Sequence, residues 1–262
     1  MMITSKTNPK IKQIRALRNR KEREATGMFI VEGIAHVTSA VEANAQIDYV
    51  CYAPDLLTSP FAQDMIERES LSGLACHDVA ADVFESISDK ENPSGIVAVV
   101  HKPKTSLQSL IFNPSSLFVA LLSPQDPGNI GTILRTMDAV NASGLILVDG
   151  GTDAYHPNAA RASMGAVFRQ KIVAATFNEL SDWAKTNQCR VVGTSAKAND
   201  DYRNANYAFP LILLMGNEQK GLSEEHLAIC DPTVKLPMMG KVSSLNLAVA
   251  AGILLYEVIH ER

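Results

Sequence analysis

The polar side chains whose types and spacing could do chemistry fall in three short stretches. The first is Ser123-Pro124-Gln125-Asp126-Pro127-Gly128-Asn129-Ile130-Gly131, with Arg135 one turn further along. Asn129 is a natural helix cap, because its short side chain can accept from an unpaired N–H of the first turn. Ile130, Ile133, Leu134, Met137 and Val140 recur at helical spacing as a buried stripe and leave Arg135 on its flank. That guanidinium either meets an anion or pairs with Asp138 at the surface, a pairing worth little. The second stretch, Leu214-Met215-Gly216-Asn217-Glu218-Gln219-Lys220-Gly221, has two glycines bracketing Asn217 and Glu218. Such a loop lets a ligand approach the backbone and presents a carboxylate to it. The third runs Leu236-Pro237-Met238-Met239-Gly240-Lys241-Val242-Ser243-Ser244-Leu245-Asn246. There Ser243, Ser244 and Asn246 open a long apolar helix, Ser244–His260, whose first N–H groups point outward where a ligand can be held. Each stretch also has an ordinary structural reading: a surface pair, a plain turn, a capped buried helix. Together they bring Asn129, Arg135, Glu218, Ser244 and Asn246 onto neighbouring loops.

The elements that would position these loops follow from periodicity. Largely apolar strands are predicted at Leu117–Leu122, Leu145–Val148, Arg190–Thr194, Leu211–Met215 and Thr233–Leu236. Helices at Ile130–Val140, Asn158–Met164, Asn178–Asn187, Glu224–Ile229 and Ser244–His260 lie between or after them. Apolar strands separated by helices make a parallel sheet covered on both faces. A doubly wound sheet binds its ligand at the carboxyl ends of its strands. Here those ends lead into Ser123–Asn129, Thr194–Asn199, Gly216–Gly221 and Pro237–Ser243. Neither GxGxxG nor GxxxxGK[ST] occurs, so neither a dinucleotide fingerprint nor a P-loop is supported.

Residues 1–100 read as a separate small α/β domain. They contain strand patterns at Gly27–Gly33, Ile47–Tyr52 and Gly95–Val100, and helices at Ile34–Ala45, Pro60–Glu69 and Ala80–Ser86. Residues 101–116, with Pro103, Pro114 and several serines, read as a linker to a second domain at 117–262. The net charge of −4 is uneven: residues 1–23 carry eight basic side chains against Glu22 alone, a net of +7. Lys10, Lys12, Arg15, Arg18 and Arg20 in this run are candidate phosphate contacts, although Ile11, Ile14 and Leu17 at helical spacing could simply dock a solvated helix. Four scattered cysteines without a CxxC pair read as reduced thiols in a cytoplasmic protein, and six histidines without ligand spacing give no metal site. The N-terminus has no signal-peptide apolar region, and no apolar run reaches the length of a membrane span.

The motif pattern Asn129-x-Gly131-x-x-x-Arg135, then Gly216-Asn217-Glu218-x-x-Gly221, then Leu236-Pro237-Met238 through Ser244-Leu245-Asn246 resembles the SpoU (TrmH-like) RNA 2′-O-ribose methyltransferases. Arg161-Ala162-Ser163-Met164-Gly165-Ala166 resembles the segment that these enzymes carry between their first two motifs. The likeness covers about residues 117–262, and the N-terminal part resembles, less sharply, the domain akin to ribosomal protein L30e that rRNA-directed members carry. The resemblance implies an α/β parallel-sheet methyltransferase domain with a C-terminal deep trefoil knot of the SPOUT type, a homodimer, and S-adenosylmethionine as cofactor. By position Thr194, Gly216, Leu236, Met238 and Leu245 would contact that cofactor. Arg135 would be the catalytic residue, with Asn129, Glu218, Ser244 and Asn246 orienting it and the ribose. A guanidinium holds its proton, so Arg135 acts either as a base made competent by a nearby phosphate or as an electrostatic clamp. The implied substrate is 23S rRNA. The rival readings are a tRNA 2′-O-methyltransferase, a non-catalytic RNA-binding protein of the same fold and, outside the family, an oxidoreductase.

Overall fold

The computed structural model describes residues 2–260; Met1, Glu261 and Arg262, at the ends of the two expected domains, lie outside the described residues. The chain forms two compact units. One contains the residues up to Pro103 together with Tyr155–Phe168, the other Lys104–Ala154 and the chain from Arg169 onward.

The first unit starts with α1 (Pro9–Ala16) and α2 (Arg20–Thr26), followed by β1 (Met28–Glu32), α3 (Ile34–Glu42), β2 (Ile47–Tyr52), α4 (Pro60–Leu71), β3 (Cys76–Asp78), α5 (Ala81–Glu85) and β4 (Ile96–His101). Its sheet has the order β1-β4-β2-β3, antiparallel except for the β2–β3 pair. Strand alternation sorts the side chains into two cores, as a two-residue period requires. Ile30, Tyr49, Cys51, Val97 and Val99 face Ile11, Ile14, Leu17 and Phe84. Phe29, Val31, Val50, Ile96, Ala98 and Val100 face Val37, Ala62, Met65 and Ile66.

In the second unit β5 (Leu117–Leu122), α6 (Pro127–Ala139) and β6 (Gly144–Val148) come first. The chain then contributes α7 (Pro157–Ala162) and most of α8 (Ala166–Arg169) to the first unit, where Tyr155 and Phe168 stack on Phe29 at centroid distances of 4.9 and 5.9 Å. The second unit resumes with β7 (Ile172–Ala175), α9 (Phe177–Thr186), β8 (Arg190–Thr194), β9 (Asp200–Asp201), β10 (Leu211–Met215), α10 (Glu224–Leu227), β11 (Thr233–Lys235) and α11 (Leu247–His260). Its seven strands run parallel in the order β7-β6-β5-β10-β8-β11-β9. β5, β6 and β10 are buried along their whole length, which is why they read as unbroken apolar runs. The carboxyl ends of β5, β10, β8 and β11 are therefore side by side, and the chain changes direction across the sheet between β5 and β10.

Several sequence expectations shift. The last helix starts at Leu247 rather than Ser244, and the basic N-terminal run is two helices. The short strands β3, β7 and β9 were not foreseen. Leu107 and Leu110, inside the stretch read as a linker, are buried in the second unit's core. No single cut in the sequence separates the two units, because 155–168 leaves the second for the first.

The charge run is also partly a structural device. Arg23 is only 1% exposed and its guanidinium donates to the carbonyls of Leu17 (2.9 Å) and Arg18 (2.7 Å), which end α1 without helical partners. Replacing Arg23 by Ala strands those carbonyls, at about 2–4 kcal/mol. Hydrogen exchange should show β1 and β4 amides losing protection while Trp183, in the second unit, unfolds as before. Lys12→Ala, at an exposed position, should change neither.

Candidate active site

α6 begins at Pro127, and its cap is Asp126, whose Oδ1 accepts from the Gly128 N–H at 2.7 Å. Asn129, expected to be the cap, instead stands inside the first turn, 7% exposed. Proline at the first helical position pulls the start three residues earlier, because its fixed φ suits a helix and it has no N–H to satisfy.

That placement frees the Asn129 carboxamide for long-range bonds. Its Nδ2 donates to Glu218 Oε1 at 3.2 Å, and its Oδ1 accepts from Asn246 Nδ2 at 2.9 Å. Asn246 Oδ1 in turn accepts from the N–H groups of Ala248 (2.9 Å) and Val249 (3.3 Å), so Asn246 is the cap of α11. The two amide orientations are mutually fixed: with Asn246 Oδ1 held by backbone N–H groups, only its nitrogen can face Asn129. Glu218 completes the network by accepting from the backbone N–H of Gln125 (3.0 Å) and of Asp126 (3.3 Å). One carboxylate thus holds the loop after β5 against the loop after β10.

Asn217 adds a second tie that sequence reasoning had not assigned. Its Nδ2 donates to the Ser123 carbonyl at 2.7 Å, and its Oδ1 accepts from the N–H groups of Gln219 and Lys220. The glycine bracket is a steric requirement. A β-carbon on Gly216 would stand 2.4 Å from the carbonyl carbon of Gly221 and 2.6 Å from the nitrogen of Leu222. The Gly221 N–H closes the loop on the Asn217 carbonyl at 2.9 Å.

Arg135 is exposed, and among the described residues it makes no ion pair; Asp138, its expected surface partner, is bonded by Arg169 at 2.8–3.1 Å. Asn129, Glu218 and Asn246 are brought together, whereas no hydrogen bond links any of them to Arg135 or to the exposed Ser244. Thr194, Gly216 and Leu236 stand at the carboxyl ends of the adjacent strands β8, β10 and β11. Met238 and Leu245 lie on the loop between β11 and α11. Among the described residues, the N–H groups of Met238 to Leu245 have no acceptor in the chain, and Met239, Val242 and Leu245 are exposed. The loop offers apolar surface and backbone donors.

The basic candidates divide. Lys12 is exposed, and Lys10 places its ammonium 4.2 Å from the centre of the Tyr49 ring. Arg15 donates to Ser86 Oγ, and Arg20 pairs with Glu24 at 2.6 Å. Arg18 is committed inward to Asp89, to Glu32 and to the Ile87 carbonyl, and burial lowers its pKa. No group of His, Cys, Asp and Glu among the described residues could hold a metal, and no helix among them is long and apolar enough to cross a membrane.

The model of the SpoU rRNA Methylase family matches residues 116–256, and that of the MRM3-like substrate binding domain matches residues 8–98. The 23S rRNA (uridine(2479)-2′-O)-methyltransferase of Streptomyces viridochromogenes is 34% identical over 99% of this chain and 92% of its own length. The 23S rRNA (guanosine(2553)-2′-O)-methyltransferase RlmP of Bacillus subtilis is 29% identical over 97% of each. Among solved structures, the AdoMet-bound rRNA methyltransferase from Sinorhizobium meliloti superposes with a TM-score of 0.90 at 34% identity, covering 99% of this chain and 97% of that one.

The network makes a separable prediction. Asn246→Ala removes both the helix cap and the bond to Asn129, lowering stability by about 1–2 kcal/mol. Asn246→Asp keeps an acceptor for Ala248 and Val249 but opposes oxygen to oxygen at Asn129. Amide exchange at the start of α11 should stay slow in the Asp variant and quicken in the Ala variant. The Asn129 side-chain amide signals should move in both; unmoved signals in the Asp variant would rule out the bridge.

Proposed function

The chain belongs to the SpoU rRNA Methylase family, and on that premise we propose that it transfers a methyl group from S-adenosylmethionine to a ribose 2′-hydroxyl of RNA, with 23S rRNA as the substrate. The observation that carries the reading is the Glu218–Asn129–Asn246 network, which joins all three motifs at one end of the parallel sheet. The two 23S rRNA 2′-O-methyltransferases that align over 97–99% of this chain favour rRNA over tRNA as substrate.

The cofactor supplies an electrophilic methyl carbon on a sulfonium. With the cofactor bound, the ribose 2′-oxygen would take that methyl in place of its proton, which would pass to solvent. The protein has to align the partners and favour the developing alkoxide. Thr194, Gly216, Leu236, Met238 and Leu245 are the residues we assign to cofactor binding. The backbone donors of the Met238–Leu245 loop and its exposed Met239, Val242 and Leu245 fit a ligand with an apolar ring and a polar tail.

Arg135 acts in this reading as an electrostatic clamp. Among the described residues it has no carboxylate partner, and a guanidinium that keeps its proton can hold a phosphate beside the attacking hydroxyl. Asn129, Glu218 and Asn246 set the loop from which α6 projects Arg135, and Ser244 stands on the loop leading to α11. In the first unit Lys10, Lys12, Arg15 and Arg20 give phosphate contacts, with Arg18, between α1 and α2, anchored to Glu32 and Asp89. The threading of the C-terminal segment as a trefoil knot, a place in the cytoplasm and a homodimeric state belong to the same proposal. Val249 (51% exposed), Ile253 (36%) and Tyr256 (55%) line up at helical spacing on α11, an apolar stripe suited to a second copy.

The test is methyl transfer from labelled S-adenosylmethionine to bare rRNA and tRNA, followed by nucleoside analysis. A 2′-O-methylated rRNA nucleotide is expected, with Arg135→Ala slower by roughly 100-fold or more and cofactor affinity unchanged. Arg135→Lys should retain part of the rate and an unchanged pH profile, whereas a base would shift the profile. Transfer to tRNA alone would overturn the substrate, and absence of cofactor binding would overturn the activity.

A further inference from the structure

The first unit contains a cavity of about 40 Å³ whose lining includes Arg18, Glu32, His36, Asp89, Lys90 and Arg161. Its charges do not cancel. Glu32 and Asp89 are both held by Arg18, and Glu32 also accepts from Ser88 Oγ at 2.5 Å. Lys90 and Arg161 make no ion pair among the described residues; the guanidinium of Arg161 reaches only Asn158 Oδ1, at 3.3 Å. The pocket therefore carries one positive charge in excess.

His36 in its lining and Ser94 beside Lys90 add uncommitted polar atoms. His36 Nδ1 and Ser94 Oγ are both buried and have no hydrogen-bond partner. A β-carbon on Gly33 would stand 3.2 Å from Lys90 Nζ, 3.6 Å from the His36 ring and 3.7 Å from Ser94 Oγ. Lys90 Nζ and Ser94 Oγ thus come together beside the His36 ring at the start of α3, where the φ of +109° at Gly33 strains any side chain. Burial, then Lys90, then Arg161 depress the His36 pKa, so its ring is neutral at pH 7 and can donate from one nitrogen. Buried donors without acceptors are unfavourable unless an acceptor arrives. The volume suits the oxygens of one tetrahedral anion, being room for roughly three waters.

We propose that this cavity is a phosphate-binding pocket in which Lys90 and Arg161 supply the charge, His36 and Ser94 the short hydrogen bonds, and the occupant is one backbone phosphate of the substrate RNA. The excess of one charge matches a phosphodiester, and the choice of RNA over a free anion rests on the function proposed above. Arg161 stands on the segment between the first two methyltransferase motifs, which belongs to the same unit as the rest of the pocket.

The experiment uses the full chain in two arms. In the first, inorganic phosphate is titrated at constant ionic strength while the His36 ring signals are followed. A saturable shift is expected that chloride does not give, that Lys90→Gln with Arg161→Gln removes, and that Lys90→Arg retains. In the second, binding to a 23S rRNA fragment is measured between 50 and 200 mM salt. The double variant should bind ~5-fold more weakly near 150 mM, with the slope of log K against log salt smaller by about 1. Unchanged S-adenosylmethionine affinity would show that the variant is folded. No His36 response to phosphate overturns the pocket. A phosphate response with unaltered RNA affinity and slope overturns RNA as its occupant and leaves a free-anion site. Absence of methyl transfer by the unmutated protein counts against the enzymatic reading instead, and the phosphate arm still decides the pocket.

Discussion

A carboxylate that accepts from two backbone N–H groups and one carboxamide is the constraint on which the site depends. Glu218 is 93 residues from Gln125 in the chain, yet it serves the donors that the loop after β5 leaves over before α6 begins. Such donors need an acceptor of some kind, and water would serve them without fixing anything. A side chain from the next strand's loop satisfies them and at the same time sets the separation of the two loops. A glutamine here would present an NH₂ group to at least one of three donors. The acidic residue is thus explained by local hydrogen bonding before any reaction is considered.

The sheet makes this arrangement rigid. β5 and β10 are paired in register from Leu117/Leu211 to Leu121/Met215, both fully buried, so their carboxyl ends cannot slide relative to each other. The loops that leave them are short, and Gly216 is packed so closely on Gly221 and Leu222 that the second loop has little freedom. Asn246 then transmits the same geometry to α11, because the amide that caps the helix is also the one that grips Asn129. Three segments distant in sequence share one hydrogen-bond network, and a change in any of them is felt by the other two.

What could be read from the sequence follows the same physics. The long strands β5, β8 and β10 fall where continuous apolar runs put them, since burial on both faces leaves a strong signal. β3, β7 and β9 have two to four residues and half-buried positions, too little pattern to separate from loop. The residue types of the site were legible, but their roles were assigned locally: Asn129 was read as a cap, although Asp126 before Pro127 is the better one. Asn246 was read correctly as belonging to the start of α11, while Ser243 and Ser244 stay outside the helix. The alternative partner of Arg135 could not be judged, because Arg169, which takes Asp138, is 31 residues away. Charge counting met the same limit. Arg18 finds Asp89 and Glu32, and Arg23 finds carbonyls, so a run that counts as +7 presents less free charge than its composition states.

The division into units is the feature that composition was least able to reveal. Pro and Ser between 101 and 116 mark a real change of course, yet Leu107 and Leu110 already belong to the second core. Residues 155–168 read as an internal helix of the methyltransferase part, and the family model includes them, but their aromatic residues stack on Phe29 of β1. The Arg161–Ala166 segment explains itself in that setting. Ser163 is fully buried, donates to the Ala160 carbonyl and accepts from the Val167 N–H, while Met164 and Gly165 take positive φ to turn α7 into α8. A serine and a glycine are what such a turn requires, so half of this motif is accounted for by the backbone. Arg161 is not: among the described residues it pairs with no carboxylate, and it lines a cavity of the first unit.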